Sequence, residues 1–313
     1  MITLREMQYL VALDDHRHFG RAAESCFVSQ PTLSGQFKKL EDQLSLQLVE
    51  RNRHQVVITD AGRQIADRAR DILRAVKSLE LQAEALRDPL SGELHLGLVP
   101  TLGPYLLAHI MSPLATELPR MQLLLYEQQT ATLLQQLDKA DLDLLILPWR
   151  DEMEQFEHFD LFTERLLLAA TPDDALLESD SLQLSNLRNR RVLTLEDGHC
   201  LRDDAMTYCF AAGAKEDQRF RATSLETLRF MVASGIGITL IPELAVDPAR
   251  DRGICYRSFS KPEPSRRIVA LVRKGYPRMT CVEKVVRVIR HTIEERGKAD
   301  SERVRDPGNQ AQK

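Results

Sequence analysis

The chain has 313 residues, 43% of them hydrophobic and 28% charged, with a formal net charge of −4. At about 100–200 residues per domain, that length predicts two or three domains with cores large enough to need no disulfide or metal staples. The polar start Met1-Ile2-Thr3-Leu4-Arg5-Glu6 lacks the apolar stretch of a signal peptide. No run approaches the roughly 18 consecutive apolar residues of a membrane span, and the five cysteines are an odd number. The expectation is a cytoplasmic protein with reduced thiols, no membrane contact, no metal and no cofactor.

Taken in chain order, residues 4–16 carry Leu4, Met7, Leu10 and Val11 at helical spacing. A short helix follows around Arg21-Ala22-Ala23-Glu24. Ser29 then reads as an N-cap with Pro31 in the first turn, where its missing N–H costs nothing. The third helix runs to about Gln43 with Leu33, Phe37, Leu40 and Leu44 on one face. Two close short helices with small residues at their crossing make a helix-turn-helix candidate. Arg51-Asn52-Arg53-His54 leading into Val56-Val57-Ile58 reads as a turn and a short strand, as in a winged variant. Thr59 caps a long helix whose Ile65, Ala69, Ile72, Val76, Leu79, Ala83 and Leu86 alternate gaps of four and three. That heptad seam predicts a helix pair, and a lone helix packed on its own domain is the alternative.

Asp88-Pro89-Leu90-Ser91-Gly92 breaks the helix. Beyond it, strand candidates Leu94–Val99, Leu123–Tyr126, Leu142–Leu147, Leu166–Ala170, Val192–Leu195 and Ile238–Ile241 alternate with helical segments, which argues for an α/β domain with crossover units. Ser224 caps a helix through Met231 that Gly235 ends. The last helix spans about 280–296, and the charged tail 298–313 is expected to be disordered.

A DNA reader needs polar side chains on a helix that enters the major groove. The third helix offers Gln30, Thr32, Ser34, Gln36 and Lys38 opposite its apolar stripe, after Ser29, and Arg51 and Arg53 of the wing suit the DNA backbone. Charge gives no support, because residues 1–90 hold thirteen basic and thirteen acidic side chains. A protein-interaction domain with a solvated polar face stays open on composition alone. The segments Phe19-Gly20-Arg21-Ala22-Ala23-Glu24, Val28-Ser29-Gln30-Pro31-Thr32-Leu33-Ser34, Lys39-Leu40-Glu41, Leu48-Val49-Glu50-Arg51 and Thr59-Asp60-Ala61-Gly62 resemble the signature of LysR-type transcriptional regulators over nearly all of residues 1–65. The resemblance implies a winged helix-turn-helix (1–58), a dimerising linker helix (59–88) and a two-lobed α/β regulatory domain like periplasmic binding proteins. Lobe one would comprise 92–162 and 267–297, and lobe two 163–266.

Cys200 and Cys209 lie in Glu196-Asp197-Gly198-His199-Cys200-Leu201-Arg202-Asp203-Asp204-Ala205-Met206-Thr207-Tyr208-Cys209-Phe210. Cys200 reads as the start of a helix, a position that favours thiolate, with His199 and Arg202 as cationic neighbours and Asp203 opposed. Thiolate is the form that peroxide oxidises to sulfenic acid. On one straight helix the two cysteines would stand about 13 Å apart at 1.5 Å rise per residue, whereas a disulfide needs Cα atoms roughly 4.4–6.8 Å apart. Two inert buried cysteines remain the plain alternative, and the absence of a Cys-x-x-Cys pair here speaks against zinc.

Gly97–Leu107, Leu195–Phe210 and Phe220–Arg229 resemble the hydrogen peroxide-sensing members of the LysR family. That resemblance implies Cys200 as the peroxidatic and Cys209 as the resolving cysteine of a reversible thiol–disulfide switch, with Thr101, Thr130, His199, Asp203 and Arg266 around peroxide. It implies as partners a double-stranded DNA operator, hydrogen peroxide, a homo-oligomer (dimer through the linker helix, then tetramer), RNA polymerase and a thiol reductant for reset. The sequence departs from the pattern over 247–259, in Cys255 and Cys281, and in Ala131 after Thr130. Two rival readings stay in view: a regulator binding a small metabolite between the lobes through Thr101, Thr130 and Ser224, and a thiol peroxidase. A helix-turn-helix argues against the latter, since a catalyst needs no operator.

Overall fold

The computed structural model describes residues 1–51, 56–178, 181–247 and 251–305. The chain divides into two compact units, Met1–Glu84 and Ala85–Lys313.

In the first unit, α1 (Leu4–His16) begins with a reciprocal capping box: Glu6 N–H donates to Thr3 Oγ1, and Thr3 N–H donates to the Glu6 carboxylate. These hydrogen bonds hold the Glu6 carboxyl below its ordinary value although Glu6 is buried. Helices α2 (Phe19–Ser25) and α3 (Gln30–Leu44) follow, and the Ser29 hydroxyl accepts from Thr32 N–H at the head of α3. Strands β1 (Val49–Arg51) and β2 (Val56–Ile58) pair antiparallel as the wing. The loop carrying Arg53 lies outside the described residues. The core joins Tyr9, Leu10, Leu13, Ala22, Ala23, Leu33, Phe37, Leu40, Leu48 and Ile58, so the small pair Ala22–Ala23 sits where α2 crosses its neighbours.

Helix α4 (Asp60–Arg87) starts where the Thr59 hydroxyl accepts from Gly62 N–H at 2.9 Å. A Cβ on Gly62 would stand 2.1 Å from the Leu48 carbonyl oxygen, so the close seating of α4 on the wing requires glycine. Arg70 bridges Asp14 and Asp15 at 2.6 and 2.8 Å and ties α4 to α1.

The second unit begins with β3 (Gly92–Leu98), α5 (Gly103–Glu117), β4 (Met121–Glu127), α6 (Thr130–Asp138) and β5 (Leu144–Pro148). Parallel pairing of β3 with both β4 and β5 makes these classical crossover units. Next comes β6 (Glu157–Ala170), then β7 (Arg191–Leu195), α7 (Cys200–Ala211), β8 (Lys215–Ala222), α8 (Leu225–Ala233), β9 (Thr239–Pro242), β10 (Cys255–Arg257), β11 (Ser265–Val272) and α9 (Met279–Arg305). The fourteen-residue β6 carries the chain across the unit. Its first part pairs with β11, which also pairs with β5, and its last residues pair with β9 and β10. Strands β7 and β8 pair parallel beside α7 and α8. Leu193, Leu195, Leu201, Ala205, Cys209, Leu225, Leu228, Leu240 and Ile241 share one core there.

The structure differs from the sequence reading in several places, and β1, β10 and β11 were not among the expected strands. Strand β8 is mostly solvent-exposed and reads Lys-Glu-Asp-Gln-Arg-Phe-Arg-Ala, so it carries no apolar signal. Strand β6 starts nine residues before its expected apolar run because Glu157–Arg165 is held by pairing with β11, not by burial of every second residue. The last helix runs on to Arg305 instead of stopping near 296. No proline lies between Gly297 and Pro307 to stop it, so residues 297–305 propagate the helix. Residues beyond 305 lie outside those described.

Candidate functional site

On the DNA side, Ser29 is spent as a cap, its hydroxyl also 2.8 Å from that of Thr32. Gln30, Thr32, Gln36 and Lys38 are exposed on α3 and Ser34 is half-buried, all opposite the buried Leu33, Phe37 and Leu40. Arg51 ends β1 in the wing.

On the sensor side, His199 caps α7 by position and Cys200 is its first residue. The approach is made by Gly198 at φ +92, where a Cβ would meet the Gln129 side chain at 2.7 Å, so only glycine lets this turn lie against the head of α6. Cys200 is buried, and its Sγ lies 3.8 Å from Thr101 Oγ1. Arg266 Nη1 donates to that same hydroxyl at 3.1 Å, and Nη2 donates to the Thr101 carbonyl at 2.9 Å. Arg266 Nε donates to Glu164 at 2.8 Å, and both side chains are buried. Glu164 and Arg266 face each other across the β6–β11 ladder, and Leu244 N–H donates to the other Glu164 oxygen at 3.1 Å. On the opposite flank, Arg150 Nη2 donates to the Cys200 carbonyl at 3.0 Å and to Asp204 Oδ1 at 2.7 Å.

The structure thus gathers Cys200, Thr101 and Arg266 into one contiguous set. Thr130 is the first residue of α6, and its buried hydroxyl has no hydrogen-bond partner among the described residues. A buried hydroxyl without a partner is an available donor and acceptor for a small polar guest. His199 is buried, with Nε2 4.0 Å from Glu196. Asp203 is exposed on α7, and it is Asp204, one residue later, that pairs beside Cys200. Arg202 turns to Glu216 and Asp197 at 3.1 and 3.2 Å, so it is committed to an ion-pair cluster.

Burial pushes the Cys200 thiol above its ordinary value, with Asp204 adding to the shift, while Arg266, Thr101 and Arg150 act against it. This departs from the expectation that a helix start would favour thiolate: loss of solvation outweighs the two cations in this reduced form. Cys209 sits in the core beside Leu201 and Ala205, where burial pushes its thiol up to about 12. Both cysteines are free thiols on one uninterrupted helix.

Arg150, Glu164 and Asp204 escaped the sequence reading. Arg150 follows a buried apolar strand and carries no motif. Glu164 acquires meaning only through the register that sets it opposite Arg266. Asp204 had a signal, since it stands four residues after Cys200 and therefore on the same helix face. Among the described residues no group of His, Cys, Asp and Glu is placed to hold a metal, and no helix is long and apolar enough to cross a membrane.

Comparison with known proteins gives the same division of the chain. Residues 4–63 match the bacterial regulatory helix-turn-helix protein family, lysR type, and residues 87–294 match the LysR substrate binding domain. The chain belongs to the LysR family of bacterial regulators. Within it, the chain is 50% identical over 290 residues to the DNA-binding transcriptional dual regulator OxyR of Escherichia coli K12, spanning 92% of this chain and 95% of that one. A full-length OxyR structure from Pseudomonas aeruginosa superposes with a TM-score of 0.72 at 33% identity, covering 93% of this chain and 95% of that one. A crystal structure of the oxidised form of OxyR gives 0.61 at 48% identity, covering 66% and 98% respectively.

Proposed function

We propose that this chain is a cytoplasmic, DNA-binding transcriptional regulator that senses hydrogen peroxide through a reversible Cys200–Cys209 switch. The observation that carries the reading is Cys200 at the head of α7, in contact with a Thr101 hydroxyl that Arg266 orients, with a second thiol further along the same helix. Likeness to a regulator whose relatives are described as hydrogen peroxide-inducible genes activators supports it.

In the first step Cys200 sulfur attacks one peroxide oxygen and the O–O bond breaks. The sulfur keeps that OH as sulfenic acid, and the departing hydroxide takes the thiol proton to become water. Thr101 and Thr130 offer hydroxyls to the peroxide oxygens, Arg266 offers positive charge to the anionic sulfur and the leaving oxygen, and His199 and Asp203 border the turn. In the second step Cys209 thiol attacks the sulfenic sulfur, a disulfide forms and a second water leaves. Nine helical positions separate the two cysteines, about 13 Å at 1.5 Å rise per residue, so α7 has to unwind for the bond to close. Reduction by a cellular dithiol restores the helix. The event is one switching cycle and not enzymatic turnover.

Through its DNA side, Gln30, Thr32, Ser34 and Lys38 would meet an operator with Ser29 setting the helix start, and Arg51 and Arg53 would hold the backbone. Pairing through α4, then tetramer formation, would couple α7 to the spacing of the recognition helices and to RNA polymerase. The deciding experiment maps thiols after one equivalent of peroxide by alkylation and mass spectrometry. A Cys200–Cys209 linked peptide, absent in Cys200→Ser, supports the reading; two alkylatable cysteines reject it.

A further inference from the structure

Three charged side chains act on Cys200, namely Arg266, Asp204 and Arg150, and Glu164 stands behind Arg266. Glu164 answers Arg266 directly. The positive charge of Arg150 is then left to a single negative charge, which can reside on Asp204 or on the Cys200 sulfur. Asp204 is set for such a division. Its Oδ1 accepts from Arg150 at 2.7 Å, while its Oδ2 is buried with no hydrogen-bond partner among the described residues. A dry, unpaired carboxylate oxygen is costlier to bury than a neutral carboxyl in the same place. Cys200 and Asp204 are four residues apart on α7, hence on one face, and Arg150 grips both, since Nη2 also binds the Cys200 carbonyl.

We infer that Asp204 and Cys200 share one proton, so that Asp204 holds the thiol's proton while sulfur is anionic and returns it to the leaving hydroxide. The inference rests on the peroxide-switch reading above. Its balance is simple. Thiol plus carboxylate becomes thiolate plus carboxyl; sulfur attack on peroxide breaks the O–O bond; the carboxyl proton and the hydroxide form water; sulfenic acid and the Asp204 carboxylate remain. The oxidant is hydrogen peroxide. The groups facing Asp204 are Arg150, Arg266, Asp203 and Cys200, and burial raises the Asp204 carboxyl against the pull of both arginines. Neither acid titrates alone, because ionising one opposes ionising the other. Because Asp204 exchanges a proton with the reacting sulfur and the leaving oxygen, the inference makes it a catalytic residue of the switching step.

The test uses the full chain carrying Cys209→Ser, in which oxidation stops at sulfenic acid. The rate of Cys200 alkylation against pH is compared with and without Asp204→Asn. Removing the competing anion lets sulfur ionise more readily, so the alkylation midpoint should fall by about one pH unit or more. Oxidation by peroxide, per thiolate, should slow about tenfold or more because the proton donor is gone. Asp204→Glu, which keeps a carboxyl, should restore the parent profile. Superposing profiles for the parent and Asp204→Asn would overturn the inference. Should Asp204→Asn fail to fold, the carbon-13 shift of the Asp204 carboxyl decides the matter in the otherwise unaltered chain. Its midpoint should fall in Cys200→Ser, where the negative charge is left to Asp204 alone, and an unchanged midpoint overturns the inference. Wild-type chain that forms no Cys200–Cys209 peptide with peroxide overturns the switch reading and this inference together. A linked peptide with superposing profiles overturns this inference alone.

Discussion

Glu164 is the residue on which the cleanest stability prediction rests. Its carboxylate and the Arg266 guanidinium are enclosed by protein, with side-chain exposures of 1% and 0%. Taking away one member of such a pair strands the other charge. Glu164→Ala should therefore cost on the order of 3–5 kcal/mol, measurable by urea unfolding of the reduced chain. Cys209 supplies a pH prediction. Its thiol is neutral in the folded chain up to about 12, well above an ordinary thiol. Below the ordinary thiol value both states hold the proton and nothing changes. As pH rises past that value the unfolded chain ionises while the folded chain does not, so stability falls on the alkaline side. Cys209→Ala should flatten that alkaline decline in unfolding curves taken at successive pH values. At this scale the sequence was half legible. Cys200, Thr101 and Arg266 were found through resemblance and are in contact. Glu164 was not found, since a charged residue at one strand position gains its role from a register set between strands about a hundred residues apart.

Among the elements, α7 is the one that the proposed switch would change. Arg150 fastens its first turn by holding the Cys200 carbonyl and Asp204, and its neighbour Trp149 is the single tryptophan of the chain. Trp149 lies in a cluster with His158, 4.3 Å between ring centroids, and Arg267, 5.2 Å from its ring. Unwinding of α7 in the proposed switch would release Arg150 and disturb that cluster. Peroxide should therefore change intrinsic tryptophan fluorescence in the wild-type chain, with the change lost in Cys209→Ser; an identical change in both would detach the signal from disulfide closure. Helices with caps were readable as elements, because Ser29, Thr59 and Ser224 do accept the expected backbone N–H groups. Strand β8 and the first part of β6 were not, because their residues are held by partner strands and bring no apolar period of their own.

At the scale of the whole molecule, α4 carries the prediction. Ile72, Leu79 and Leu86 recur every seven residues and are 43%, 66% and 83% exposed in the single chain. Apolar side chains in heptad register want a facing helix. Ile72→Asp with Leu79→Asp should yield a monomer by light scattering and abolish tight operator binding; a dimer that persists would place the association elsewhere. The heptad was visible in the sequence because period and spacing are local properties. Charge gave no sign of a DNA-binding face, because the basic and acidic side chains of the first ninety residues balance.

The burial of Cys209 beside Leu201 and Ala205 has a consequence for the alarm threshold of the cell. Closing the proposed switch would extract a side chain from a packed interior, so reduced-state packing would oppose oxidation. For a two-electron couple about 1.4 kcal/mol corresponds to about 30 mV, and a single lost methylene or two in a core is of that order. On that reading, the set-point of the sensor would depend on ordinary aliphatic packing around Cys209. Trading Leu, Ile, Val and Ala there would then retune it while leaving every chemically active group in place.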